Sequence, residues 1–157
     1  MKLNADIVIS VEPANAPDSE WCLSQYYTEL AARFDEGFDP NLKNKFDPIE
    51  MEPPNGWFVL ARIDRKAVAC GAVMKLDGTI CEVKRLWVSA DARGLGLGTK
   101  VMAMLEKLAR DEGFTAVKLD TNRALDEAQG LYEKLGYTQT GRYNDNPYAD
   151  HFFEKAL

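Results

Sequence analysis

Residues 82–100 read EVKRLWVSADARGLGLGTK, a strand-like run that breaks into three glycines at alternate positions, Gly94, Gly96 and Gly98. Behind it, Val101, Met104, Leu105 and Leu108 recur at helical spacing, and Gly113 offers a stop. A glycine-rich turn entering a helix brings main-chain N–H groups and the positive end of the helix dipole to one place, which suits an anion. Two familiar phosphate loops fail on spacing. A nucleotide P-loop places Lys directly after its last Gly, and here Thr99 separates Gly98 from Lys100. A dinucleotide loop needs a third Gly or Ala where Val101 stands, and it follows the first strand of a βαβ unit.

Upstream of this turn the period is two. Residues 57–63, 67–75 and 79–88 form three strand candidates joined by Asp64-Arg65-Lys66 and by Asp77-Gly78, the pattern of an antiparallel meander. Before the meander come a strand at 5–11 and a helix over Glu20–Phe34 with Asp18 as its N-cap. The 35–55 segment is irregular, acidic and proline-bearing, and holds a short helix or a functional loop. Downstream, 115–120 reads as a strand. Asp126 with Gln129 resembles a capping box for a helix carrying Ala128, Leu131, Tyr132 and Leu135, closed by Gly136. Two further strands are expected at 137–143 and 151–157. The expectation is one domain over 1–157, of α/β (α+β) class, with a mixed sheet of about 6–7 strands and about four helices.

Composition narrows the function. The chain has 157 residues, with 19 Lys plus Arg against 25 Asp plus Glu and a net charge of −6. That balance disfavours nucleic acid as a partner, so an anionic ligand must be held by local geometry. No apolar run is long enough to span a bilayer, and no membrane partner is expected. Three scattered cysteines (Cys22, Cys70, Cys81) and a single His151 argue against a disulfide framework, a zinc site and a Ser-His-Asp triad. The expected setting is a cytoplasmic one, with no metal.

Taken together, these motifs resemble the GCN5-related N-acetyltransferases, whose pyrophosphate loop Arg/Gln-x-x-Gly-x-Gly/Ala is matched by Arg93, Gly96 and Gly98. The family's A-x-x-L-Y-x-x-x-G-[FY] helix is matched by Ala128, Leu131, Tyr132, Gly136 and Tyr137, and the tail Phe153-Glu154-Lys155-Ala156-Leu157 resembles a last strand of that family. The resemblance implies the acyl-CoA N-acyltransferase fold, splayed at a β-bulge between the fourth and fifth strands. It implies acetyl-CoA as cosubstrate, its pantetheine arm pairing with main chain at Leu86, Trp87 and Val88. Its pyrophosphate would lie on Arg93, Gly94, Leu95, Gly96, Leu97, Gly98 and Thr99, and an amide of the preceding strand, at Val88, would polarise the thioester. Ala128 and Tyr132 would also border the coenzyme. Many members carry Asn three residues before the helix alanine; here Leu125 stands there, and Asn122 is the substitute candidate.

The resemblance also implies chemistry. Tyr132 would protonate the departing thiolate. Glu82, eleven residues before Arg93, occupies the position of the general base in several members; its alternative is a strand-face carboxylate paired with Lys84 or Lys118. Direct transfer is preferred to a covalent route through Cys81, which reads as strand core. The acceptor would meet Tyr27, Phe34, Tyr143, Asn144 and Asn146, and is expected to be a small-molecule primary amine such as an amino acid or related metabolite. An acyl-CoA-binding sensor and a protein N-acetyltransferase are the alternatives. The assembly is expected to be a monomer or homodimer.

Overall fold

A computed structural model describes residues 6–39 and 48–157. The part of the 35–55 segment at 40–47, and residue 5 of the first strand candidate, lie outside the described residues. Seven strands form one sheet in the order β1-β2-β3-β4-β5-β7-β6, built from β1 (Ile7–Val11), β2 (Gly56–Ile63), β3 (Lys66–Asp77), β4 (Ile80–Val88), β5 (Ala116–Thr121), β6 (Thr138–Thr140) and β7 (His151–Ala156). All neighbours are antiparallel except β4 and β5, which run parallel. Three α-helices accompany them: α1 (Pro17–Arg33), α2 (Leu97–Asp111) and α3 (Asp126–Lys134), with short 3-10 turns at Pro48–Met51 and Ala90–Ala92. Three of the about four expected helices are thus α-helices, and among its described residues the 35–55 segment contributes the 3-10 turn at Pro48–Met51.

The helices cover both faces, so the central strands are apolar throughout. On one face α2 and α3 bury Leu97, Val101, Leu105, Val59, Val73 and Val117. On the other, α1 covers Phe58, Leu60, Cys70, Met74, Trp87 and Cys22. Each large side chain removed from water in this way stabilises the fold by about 1.5–3 kcal/mol. The alternation along 57–63 therefore separates two buried faces instead of a buried and a wet one: β2 is fully buried from Gly56 to Ala61.

Several boundaries differ from the sequence expectation. Helix α1 starts earlier, with Ala16 as N-cap and Pro17 in the first turn. Pro fits there because its missing N–H has no intrahelical partner in any case. Asp18 instead receives a hydrogen bond from Arg62 Nη2 at 2.9 Å. At α3 the capping box does not form: Leu125 is the N-cap without a side-chain bond, and Asp126 is already helical. The 137–143 strand shortens to Thr138–Thr140, all exposed, because Arg142 leaves the ladder to donate to the carbonyls of Asn146 and Ala149.

The two hairpin turns fall where the polar residues placed them. Asp64 and Arg65 both adopt positive φ (49° and 72°), and Gly78 does so at 54°, a backbone hand that follows the strand twist.

Candidate active site

The sheet opens between β4 and β5. Only Ile80, Cys81 and Glu82 pair, with Ala116, Val117 and Lys118. Beyond that point β4 stays with β3 and β5 stays with β7. The cause lies on β4: between Lys84 and Trp87 its register against β3 slips, and Arg85 takes φ +62°. A left-handed non-glycine residue costs about 1–3 kcal/mol and persists where its surroundings hold it. Cys70 Sγ helps hold this one, donating to the Arg85 carbonyl at 3.3 Å. The bulge that opens the gap is therefore an irregularity of β4 against β3, not of β4 against β5.

Where β4 ends, the chain makes the 3-10 turn and enters α2 through the glycines. Gly94 and Gly96 have φ of 89° and 73°, with Gly96 as the N-cap. At Gly98 the need is space, since a Cβ would meet Leu131 Cδ2 of α3 at 3.1 Å. The amides of residues 94–99 donate no hydrogen bond among the described residues. Six main-chain donors at the start of a fifteen-residue helix are thus without a protein acceptor among the described residues, the kind of groups an anion can engage. Arg93 at the edge of this turn donates to Glu29 at 2.7 Å, and Glu29 in turn receives Arg33 Nη1 at 3.5 Å. Arg33 continues across to Glu127 and the Ala124 carbonyl, tying α1 to the start of α3.

A cavity of about 100 Å³, open to solvent, lies in the gap. Leu86, Asn122, Ala128 and Tyr132 line it, four of the residues singled out from the sequence for the coenzyme. Leu125 also lines it, at the place of the expected Asn. Trp87, Val88 and residues 93–99 do not: the Trp87 ring turns to the α1 face and meets Trp21 edge-on at 5.9 Å. The Asn122 amide is already occupied, donating to the Tyr148 carbonyl at 2.7 Å and accepting the Ala124 N–H at 2.8 Å. Tyr132 packs beside Tyr137 and Phe153, and its hydroxyl has no hydrogen bond among the described residues. Burial, then the neighbouring Tyr26 and Asp120, raises the Tyr132 phenol well above its ordinary value, so it stays protonated.

Glu82 sits behind this cavity, outside its lining. Its Oε2 accepts from the Tyr143 hydroxyl at 2.5 Å and from Asn144 Nδ2 at 3.3 Å, with Lys84 Nζ at 3.4 Å. The Lys84 pairing expected as the alternative for Glu82 is thus present. Two carboxylates do reach the cavity wall, the exposed Asp39 and, between β4 and β5, the side chain of Asp120; Asp120 is the one held by Lys84. Its Oδ2 accepts from Lys84 at 2.9 Å and from Asn144 at 2.6 Å, while Oδ1 accepts from Asn146 at 3.3 Å. Glu82, Lys84 and Asp120 form one buried chain of charges, each side chain less than a tenth exposed. Burial and the adjacent Glu82 and Asp120 push the Tyr143 hydroxyl far up, so it remains a donor.

Of the acceptor candidates, Phe34 and Asn146 line the cavity, whereas Tyr143 and Asn144 act on the carboxylates. Tyr27 stacks on Phe38 at 5.7 Å. Sequence reasoning missed Asp120 as a site residue, although the alternation of β5 places it opposite the buried Val117, Leu119 and Thr121.

A family model described as the acetyltransferase (GNAT) family matches residues 20–137. The chain is 30% identical over 142 residues to an uncharacterized N-acetyltransferase of Schizosaccharomyces pombe, covering 86% of this chain and 83% of that one. It is 33% identical over 138 residues to an IAA acetyltransferase of Azospirillum brasilense, covering 85% and 89%. Among solved structures, a GNAT-family acetyltransferase from Staphylococcus aureus superimposes with TM-score 0.80 at 16% identity, over 97% and 99% of the two chains. The PaiA N-acetyltransferase of Thermoplasma acidophilum, solved in complex with coenzyme A, gives 0.75 at 14% identity over 96% and 99%. The parted strands and open glycine turn thus belong to an acyltransferase of the acyl-CoA N-acyltransferase fold. The chain is a member of the acetyltransferase (GNAT) family.

Proposed function

We propose that the protein is an acetyl-CoA-dependent N-acetyltransferase that acts as one domain over residues 1–157 and transfers acetyl directly to the primary amine of a small molecule. The observation that carries this reading is that Tyr132 and Asp120 line one cavity at the point where β4 and β5 part. The unpartnered amides of 94–99 fit a diphosphate beside it. Acetyl-CoA would supply a thioester whose carbonyl carbon is the electrophile.

The chain's own groups would do the rest. The amides from Gly94 to Thr99, with Arg93 at the edge, hold the diphosphate. The main chain of Leu86, Trp87 and Val88 faces the gap as an unpaired edge for the pantetheine arm, and an amide there, at Val88, polarises the thioester carbonyl. Leu86, Ala128 and Asn122 border that arm. A primary ammonium has a pKa near 10, so freeing its lone pair at pH 7 costs about 4 kcal/mol. Asp120 receives that proton at the cavity wall, with Glu82 behind it acting through Lys84, Asn144 and Tyr143 as a positioning residue and not as the direct base. As the N–C bond forms and the C–S bond breaks, Tyr132 gives its proton to the sulfur, and the second proton shed by the nitrogen on becoming an amide returns to the phenolate through solvent. A buried phenol suits this step because it is protonated at every working pH.

Three free, buried cysteines fit action in the reducing cytoplasm, as a monomer or homodimer. The deciding experiment follows free thiol released from acetyl-CoA across a panel of primary amines. Amine-dependent release supports the reading. Tight acetyl-CoA binding with no release over the whole panel would favour an acyl-CoA sensor.

A further inference from the structure

We infer that the acceptor is a primary amine carried on a short alkyl linker from an aromatic ring, an inference that rests on the acetyl-transfer reading above. The outer wall of the cavity is aromatic: Phe34, Phe38 and Tyr148 all line it. They hold one another in place, with ring centroids 5.8 Å apart for Phe34–Phe38, 5.7 Å for Phe34–Tyr148 and 4.8 Å for Phe38–Tyr148. The Tyr148 hydroxyl accepts the Asp39 N–H at 2.9 Å, which leaves its ring, not its polar tip, as the surface on offer.

This wall is tied directly to the carboxylate. Asn146 Nδ2 donates to Asp120 Oδ1 at 3.3 Å, and Asn146 Oδ1 accepts the Tyr148 N–H at 3.0 Å. The residue that orients Asp120 is therefore two positions from the residue that presents an aromatic face, a span of at most about 7 Å. Asp120, Phe38 and Tyr148 line the same cavity, so an ammonium near Asp120 and a ring against Phe38 and Tyr148 share one space, with ring contacts of the edge or offset kind. Aromatic walls also attract cations, so an aliphatic diamine is the competing class. The lining offers no surplus of negative charge for a second ammonium, since Lys84 and Arg85 balance Asp120 and Asp39 there.

The test compares kcat/KM for 2-phenylethylamine, pentylamine and 1,4-diaminobutane at saturating acetyl-CoA, with the wild-type chain and with Phe38→Leu. Phenylethylamine should exceed each of the others by about tenfold, and Phe38→Leu should bring its ratio to pentylamine toward unity. A thermal melt of the variant establishes that it is folded, and Tyr148→Leu provides a second perturbation of the same wall. Equal or better use of pentylamine or the diamine overturns the inference while leaving acetyl transfer standing, as does a ratio untouched in both variants. Silence with all three amines despite acetyl-CoA binding overturns the transfer reading and this inference with it.

Discussion

Lys84 and Asp120 face each other across the gap between two strands that have stopped pairing: Nζ lies 2.9 Å from Oδ2, two residues past the last ladder pair at Glu82 and Lys118. An ion pair takes over where main-chain hydrogen bonds end, and it fixes a carboxylate on the wall of the cavity. Asp120→Asn keeps the shape and removes the charge. It should lower kcat by about a hundredfold while the KM for acetyl-CoA changes little. Glu82→Gln, one step removed, should cost less. Thiol-release kinetics on both variants check the order; a larger loss at Glu82 would reverse the assignment.

Tyr132→Phe should reduce kcat by about a hundredfold with acceptor KM nearly constant. Burial raises the folded-state phenol above its ordinary value near 10. The phenol is therefore protonated at neutral pH and stays so as the solution is made alkaline. Wild-type kcat should not fall between pH 8 and about 10 on account of this group. An unaltered kcat in the variant would remove Tyr132 from the chemistry.

Cys81 is fully buried and its thiol is pushed up to about 12, chiefly by burial, so the thiolate is scarce at pH 8. Cys81→Ala should retain transfer within a few fold and lose about 1 kcal/mol of stability from the space left behind. Loss of all turnover in a folded Cys81→Ala chain would instead support a covalent route.

Gly96→Ala asks an L side chain to adopt φ +73° at the start of α2. The expected cost is about 1 kcal/mol. Displacement of the neighbouring amides should also raise the KM for acetyl-CoA by about fivefold. Calorimetry and a donor titration read the two effects separately.

Arg62 donates to both carboxylate oxygens of Glu12 and to Asp18, joining β1, β2 and α1. That hydrogen bonding lowers the Glu12 carboxyl in the folded state. The stabilisation is therefore complete above the ordinary carboxylate value of about 4.3 and is lost as pH falls through the lowered folded value. Glu12→Gln should melt below the wild type at pH 7, by about 1 kcal/mol, with the difference closing below about pH 4. A gap that persists at pH 3 would assign the effect to packing.

The architecture was legible in the sequence because three signals agreed: period-two runs with Asp64-Arg65 and Asp77-Gly78 turns, the glycine turn at 94–98, and the Ala128–Tyr137 helix motif. Helix starts were less legible. Asp18 and Asp126 both have capping chemistry, yet Arg62 draws Asp18 away and Leu125 takes the N-cap of α3. The side of the cavity proposed for the coenzyme is lined by Leu86, Ala128 and Tyr132, residues whose motif spacing is visible in the sequence. The side proposed for the acceptor is lined by side chains brought together from the segment after α1, from β5 and from the 142–150 loop. Asp120, Phe38 and Tyr148 meet there through tertiary packing that no local spacing encodes.

The kink at Arg85 has its carbonyl fastened by Cys70, a thiol facing the layer beneath α1 and packed in the same cluster as Cys22, Phe58 and Leu60. The width of the opening is accordingly tied to a buried layer beneath α1, whose Cys22 and Cys70 lie outside the cavity lining. Drift in that hidden layer during evolution can retune the enzyme without touching its chemistry, and laboratory selections for altered acceptors have reason to sample Cys22 and Cys70 alongside the pocket itself.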